Sequence, residues 1–190
     1  MNRRHIILIL FLLVAFAQWY VPSKMILDKQ DVLETGIPHK FRTQLVDPYD
    51  PFRGKYIRLN FESNDIHVDD PSDWHSGERV YVVLSVDSMG FSIPSSISKS
   101  KPTTDSAFLE TKVDYLQYND LNRAILEYPF DRYYLEETKA EVVEGIYNIA
   151  VRDTSSVSYA LVKIKNGKAV LKDVIVDEIP ILNLVNSGKK

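Results

Sequence analysis

Two Asp-Pro pairs and a glycine, packed into the run from Val46 to Glu62, restrict the backbone more than any other stretch of this chain. Pro48 and Pro51 fix their own φ and drive Asp47 and Asp50 out of the helical region, while Gly54 can take the positive φ that a tight exit needs. Beyond them Tyr56, Arg58 and Asn60 alternate with Ile57, Leu59 and Phe61, the period of two that marks a half-buried strand. The run predicts a stiff corner feeding a β-strand with one apolar and one polar face.

These residues also carry a likeness. Asp50 through Phe61 resembles the signature of the GDYXXLXY family of uncharacterised bacterial membrane-anchored proteins. Gly54, Tyr56 and Leu59 fit the pattern, whereas Lys55 stands where the family name has aspartate and Phe61 where it has its last tyrosine. Lys55 removes any acidic role, such as holding a cation, at that position. A second patch, Tyr133 to Glu137, is similar to a Tyr-aromatic-x-x-Glu segment of the family and aligns Glu137 with its glutamate. The resemblance implies an anchored domain with multi-pass membrane proteins as natural partners, and it carries no assigned reaction.

An anchor is also readable from the residues. Arg3 and Arg4 precede an almost wholly apolar run from Ile6 to Val21, so the positive-inside rule sends the rest of the chain across the membrane. As a helix that run rises roughly 24 Å, short of a hydrocarbon core of about 30 Å. Ala15 to Ala17 before Gln18 has the small-x-small form of a signal-peptidase site, but Trp19 and Tyr20 sit where an interfacial aromatic belt belongs, and retention is the expectation. Ser23 to Thr35 reads as a helical or flexible spacer stopped by Gly36.

The body reads as mainly β. Strands are predicted over Phe41 to Leu45, pairing with Tyr56 to Phe61, and over Arg79 to Val86, returning through Phe91 to Ile93. Further strands are predicted over Phe108 to Tyr115, Ala124 to Phe130, Ile149 to Arg152, Tyr159 to Ile164, Ala169 to Val176 and Ile179 to Val185. Asn166-Gly167 is the strongest hairpin signal, because both turn positions tolerate positive φ. Glu136 to Ile146 is the one short helix, stopping near Gly145, and Ser95 to Ser106 reads as a mobile loop. The expected architecture is an antiparallel β-sandwich or barrel-like domain over 37–186, after an anchor (1–22) and spacer (23–36) and before a frayed tail (187–190).

Composition narrows the chemistry. With no cysteine, thiol catalysis and Cys-based zinc sites are excluded, and a net charge of −3 without a basic, aromatic-interleaved stripe argues against nucleic acid. His67, Asp69, Asp70, Asp73 and His75 share one loop but lack metal-ligand spacing, so they read as a solvated acidic loop. Ser95 to Ser100 with Lys99 and Lys101 lacks the burial a Ser-Lys hydrolase needs. Glu136 and Glu137, adjacent in sequence, rarely face each other as a catalytic pair must. No cofactor is implied.

Tyr49, Phe52, Tyr56, Tyr128, Phe130, Tyr133 and Tyr134 fall in the two patches of the family likeness, and they read either as core packing or as a contact surface. If the patches meet, Arg53 or Arg58 is positioned to pair with Glu137. The expected function is a single-pass module of the bacterial cytoplasmic membrane, its N-terminus cytoplasmic and its domain periplasmic. It is read as a non-enzyme that binds an inner-membrane or envelope protein through Asp47, Asp50, Arg53, Gly54, Tyr56, Arg58, Tyr133, Tyr134 and Glu137. The alternative is an envelope hydrolase using carboxylates, with or without a metal.

Overall fold

The computed structural model describes residues 3–44, 56–103, 106–118, 122–134 and 156–187, together with Val143, Gly145 and Ile149. The expected corner at 46–55, including Asp47, Asp50, Arg53 and Gly54, lies outside these residues, as does Glu137.

Helix α1 (Arg3–Thr35) runs unbroken for 33 residues through Pro22, so the apolar run and the spacer are one element. Its apolar 18-residue window has a mean hydropathy of 2.1 and is not buried, which makes α1 a helix long and apolar enough to cross a membrane. Pro22 cannot donate to the carbonyl of Gln18; Ser23, the next residue, donates its Oγ to the carbonyl of Trp19 at 2.8 Å. At the other end the backbone N–H of Gly36 closes on the carbonyl of Val32 at 2.9 Å and the chain turns directly into a sheet.

The strands are β1 (Ile37–Gln44), β2 (Tyr56–Arg58), β3 (Asn60–Phe61), β4 (Asp65–His67), β5 (Arg79–Val86), β6 (Ser92–Ser98), β7 (Phe108–Gln117), β8 (Arg123–Glu127), β9 (Arg132–Tyr134), β10 (Ser158–Lys165), β11 (Lys168–Val176) and β12 (Ile179–Pro180), followed by helix α2 (Ile181–Ser187). They form one antiparallel sheet in the order β12, β11, β10, β1, β3, a second in the order β4, β8, β7, β5, β6, and a two-stranded ribbon of β2 with β9. β6 touches both β1 of the other sheet and β4 at the far edge of its own, so the second sheet curls into a nearly closed barrel. The protein is thus mainly antiparallel β and barrel-like, as its alternating sequence predicts.

Where elements differ from expectation, local chemistry explains it. The strand predicted from Tyr56 to Phe61 splits at Leu59, whose N–H goes to the carbonyl of Asp131 at 2.7 Å. β3 then pairs with β1 as expected, but β2 pairs with β9. The serine-rich stretch is not a loop as far as Ser98, because β5 templates it and a register shift beside Leu84 accommodates Pro94. Gly145 is itself helical, which one exposed glycine allows at a cost of only about 1 kcal/mol against alanine. Ile149, read as the start of a strand, is helical too. The final strand ends at Pro180, which has no N–H for a ladder and suits a helix start, so Ile181 opens α2.

The main core cluster spans both sheets and centres on aromatic rings, and a smaller one gathers Phe91, Tyr159 and Ile175. Phe41 packs on Phe130 and Tyr128 at centroid distances of 4.9 and 5.4 Å, and Phe61 packs on Tyr128 and Phe130 at 5.2 and 5.3 Å. Tyr128 keeps its hydroxyl satisfied by donating to the carbonyl of Ser63 at 2.8 Å, and burial pushes its phenol well above the ordinary range. At the β10–β11 hairpin Asn166 and Gly167 take φ of 53° and 85°, the turn that Asn-Gly predicts. Gly167 also lies against Phe108, whose Cε2 would be 2.6 Å from any added Cβ, and its carbonyl accepts from the N–H of Glu110 at 2.8 Å, tying the hairpin to β7.

A single histidine joins the two sheets. His39 on β1 places Nδ1 2.9 Å from Ser92 Oγ on β6, and its buried Nε2 has no hydrogen-bond partner among the described residues. Burial pushes its pKa below the ordinary histidine value, so the unfolded chain takes up this proton more readily than the folded one. That stability is present above the ordinary histidine pKa of about 6.5 and is lost as pH falls through the folded pKa. Denaturation midpoints should therefore fall between pH 7 and pH 5, and His39→Gln should flatten that slope. An unchanged slope in the variant would remove His39 from the account.

Candidate functional site: an arginine-tyrosine ribbon beside the helix foot

The two sequence patches meet. β2 and β9 pair with Tyr56 opposite Tyr134, Ile57 opposite Tyr133 and Arg58 opposite Arg132. Because strand side chains alternate, Ile57 and Tyr133 turn inward, while Tyr56, Arg58, Arg132 and Tyr134 share the outer face. The inner pair fixes the ribbon: Ile57 is buried, and Tyr133 donates its hydroxyl to Asp173 Oδ1 of β11 at 2.9 Å. Burial, then that hydrogen bond, raises the Tyr133 phenol pKa, so this tyrosine stays neutral and acts as a structural donor.

On the outer face the Tyr56 and Tyr134 rings lie 5.6 Å apart, and the Arg132 guanidinium sits 5.3 Å from the Tyr56 ring centre. A hydrogen bond with Tyr134, and then Asp131, raises the Arg132 pKa further, so it is a permanent cation. Arg58 Nε and Arg132 Nε reach the two oxygens of the one Asp131 carboxylate at 3.9 and 3.8 Å. Among the described residues, the two exposed guanidinium groups thus share one loose counter-ion. Tyr134 is 66% exposed.

Arg132 and Tyr134 also form one wall of a cleft of about 760 Å³. Its other walls are the foot of α1 at Met25, Asp28, Lys29 and Val32, the β7 segment Glu110 to Lys112, and the β10–β11 turn at Gly167 and Lys168. The wall from α1 is held firmly. Asp28, Asp31, Val32 and Thr35 lie on one helix face, and along it Val32 is buried, Asp28 pairs with Lys168 at 2.9 Å and Asp31 with Lys165 at 2.7 Å. Hydrogen bonds from Lys168 and Lys165 respectively hold the carboxyls of Asp28 and Asp31 below their ordinary pKa. Lys163 Nζ donates to the carbonyl of Gly36 at 2.9 Å, closing the junction.

A family model described as GDYXXLXY protein matches residues 18–174. The chain belongs to the GDYXXLXY family. Neither a curated protein nor a solved structure matches it. In this GDYXXLXY protein Tyr56–Arg58 of the name-giving motif and Arg132–Tyr134 at the later tyrosine patch, far apart in sequence, are the two strands of one ribbon.

Of the seven aromatics in those patches, Tyr128 and Phe130 are core, Tyr133 is a half-buried tie, and Tyr56 and Tyr134 form the surface pair. Tyr49 and Phe52 lie outside the described residues. Among the described residues, the carboxylate that Arg58 meets is Asp131. Sequence reasoning missed Arg132 and Asp131, although Arg132 stands two residues before Tyr134 and so belongs on the same strand face.

Several of the other sequence candidates have structural partners. Asp70 accepts from the backbone and hydroxyl of Ser72, capping a 3-10 turn at Pro71–Asp73, and His75 lies 3.7 Å from Glu78. Among the described residues no three His, Asp or Glu side chains are grouped to hold a metal ion. Lys99 is an exposed cation paired with Glu78 at 3.0 Å and donating to the carbonyl of Asp73, while Ser95 Oγ bonds the carbonyl of Val83. The ribbon and cleft offer cationic donors and flat aromatic faces, which suit recognition of anionic or planar groups.

Proposed function

We propose that this protein is a single-pass, membrane-anchored binding module whose domain lies outside the cytoplasm and which engages a membrane-resident envelope protein through the β2–β9 ribbon. The observation that carries this reading is the outward Tyr56, Arg58, Arg132 and Tyr134 face, set beside the foot of the apolar helix. Tyrosine and arginine are the residues that dominate binding hot spots, and a ribbon tied to the core by Ile57 and Tyr133 presents them in a fixed arrangement. Arg3 and Arg4 support a cytoplasmic N-terminus. A partner embedded in the same membrane meets the domain at its helix end, where this face lies.

Affinity capture from solubilised membranes tests the reading. Wild-type protein should retain a membrane protein that Tyr134→Ala and Arg58→Ala each weaken roughly tenfold or more, the scale of a hot-spot truncation. Met89→Ala, at the exposed β5–β6 turn, should leave capture unchanged. Equal recovery by all four proteins would remove the ribbon from the interaction.

A further inference from the structure

We infer that the cleft at the foot of α1 binds the phosphodiester of a membrane lipid head group. The inference rests on the anchored reading above and concerns the cleft, which shares Arg132 and Tyr134 with the protein-binding face and adds Lys29 and Lys112.

Depth is the first ground. Exposed apolar side chains continue along α1 beyond Trp19 and Tyr20 to Met25, Ile26 and Leu27. From Ile6 to Leu27 the helix rises about 33 Å, which matches a hydrocarbon core of about 30 Å better than the shorter run ending at Val21. Lys24, the one charge in this extension, has a stem long enough to reach the interface. Asp28 and Lys29 then stand at head-group level, and both line the cleft, with Met25 at its apolar margin.

Charge is the second. Two of the cleft's carboxylates are already committed, Asp28 to Lys168 at 2.9 Å and Glu110 to Arg79 at 3.2 Å. Asp131 is divided between Arg58 and Arg132. Lys29 and Lys112 have no ion-pair partner among the described residues; Glu127, opposite Lys112 in register, makes no ion pair with it. Lys29, Lys112 and Arg132 therefore stand against Glu127 and Asp131, and the cleft lining carries one more cation than carboxylate. A phosphodiester supplies the missing single negative charge, and its two free oxygens suit a guanidinium fork. The acyl chains of that lipid have the apolar flank of α1 from Leu27 downward to lie against.

The test uses the full chain in non-ionic detergent, titrated with phosphatidylglycerol, with diacylglycerol of the same chains, and with inorganic phosphate, and read by native mass spectrometry. Phosphatidylglycerol should bind saturably and diacylglycerol should not. The Lys112→Ala/Arg132→Ala double variant should bind it roughly tenfold or more weakly, since it removes two of the cations that face the head group. Arg132→Lys, which keeps the charge, should recover part of the loss, and an unchanged melting temperature shows that the variants fold. Equal lipid binding by wild type and double variant overturns the inference, as does inorganic phosphate occupying the site with no gain from the lipid chains. Labelling of exposed lysines from outside intact cells separates the two claims. A labelled domain with variant-insensitive lipid binding defeats only the lipid site, whereas an unlabelled domain defeats the placement outside the cytoplasm that the proposed function requires.

Discussion

Phe41→Ala is expected to remove about 3–5 kcal/mol of stability, the cost of truncating a fully buried phenylalanine. Phe41 is 1% exposed, sits on β1 between the two sheets, and contacts the rings of Phe61, Tyr128 and Phe130. Deleting it takes one member from a four-ring cluster in which no neighbour is long or flexible enough to fill the space. Domains of this size typically hold about 5–15 kcal/mol in total, so the variant should sit close to the folding threshold. Its melting temperature should fall by roughly 10 °C or more. Phe41→Leu, which keeps most of the volume, should lose markedly less. A melting temperature within a degree or two of wild type for Phe41→Ala would mean that the two sheets do not share this core.

Gly36→Ala should be nearly as damaging as Gly36→Val, because the obstacle is the first carbon of any side chain. A Cβ there would stand 2.4 Å from the carbonyl oxygen of Val32 and 3.2 Å from the backbone N and O of Ile164. All three are main-chain atoms, with no rotamer to turn aside. Either substitution must therefore break the Gly36–Val32 hydrogen bond or push α1 off β10, and with it go the Asp31–Lys165 and Asp28–Lys168 pairs. A loss of about 2–4 kcal/mol is expected, with new protease cleavage near residue 36. Gly145→Ala provides the contrast. That glycine is helical and open on its Cβ side, so alanine there should be neutral or stabilising by up to about 1 kcal/mol.

Local rules made much of this fold legible. β5 falls on the predicted Arg79 to Val86, and the Asn166-Gly167 turn on the hairpin its residues demand, because pairing partners a few residues apart need no knowledge of the rest of the chain. Interactions across long separations were harder to read. The helical spacing of Asp28, Asp31, Val32 and Thr35 is visible in the sequence, but the lysines that answer it lie more than 130 residues away, in a hairpin that also serves β7. Tyr56 and Tyr134 were named because each lies in a recognisable patch. Arg132 was not, because its face is defined only once β9 is known to be a strand paired with β2. Asp131 beside Arg58 was equally hidden, because it is brought close only when Leu59 binds its carbonyl.

The ribbon as a contact surface is tested most directly by photo-crosslinking in intact membranes, with a benzophenone amino acid placed at Tyr134 in one protein and at Met89 in another. Both side chains are exposed, 66% and 64%, so accessibility does not separate them. The account predicts a discrete adduct to a membrane protein from position 134, diminished by Arg58→Ala, and none from position 89. An adduct from position 89 alone, or none from position 134, would contradict it.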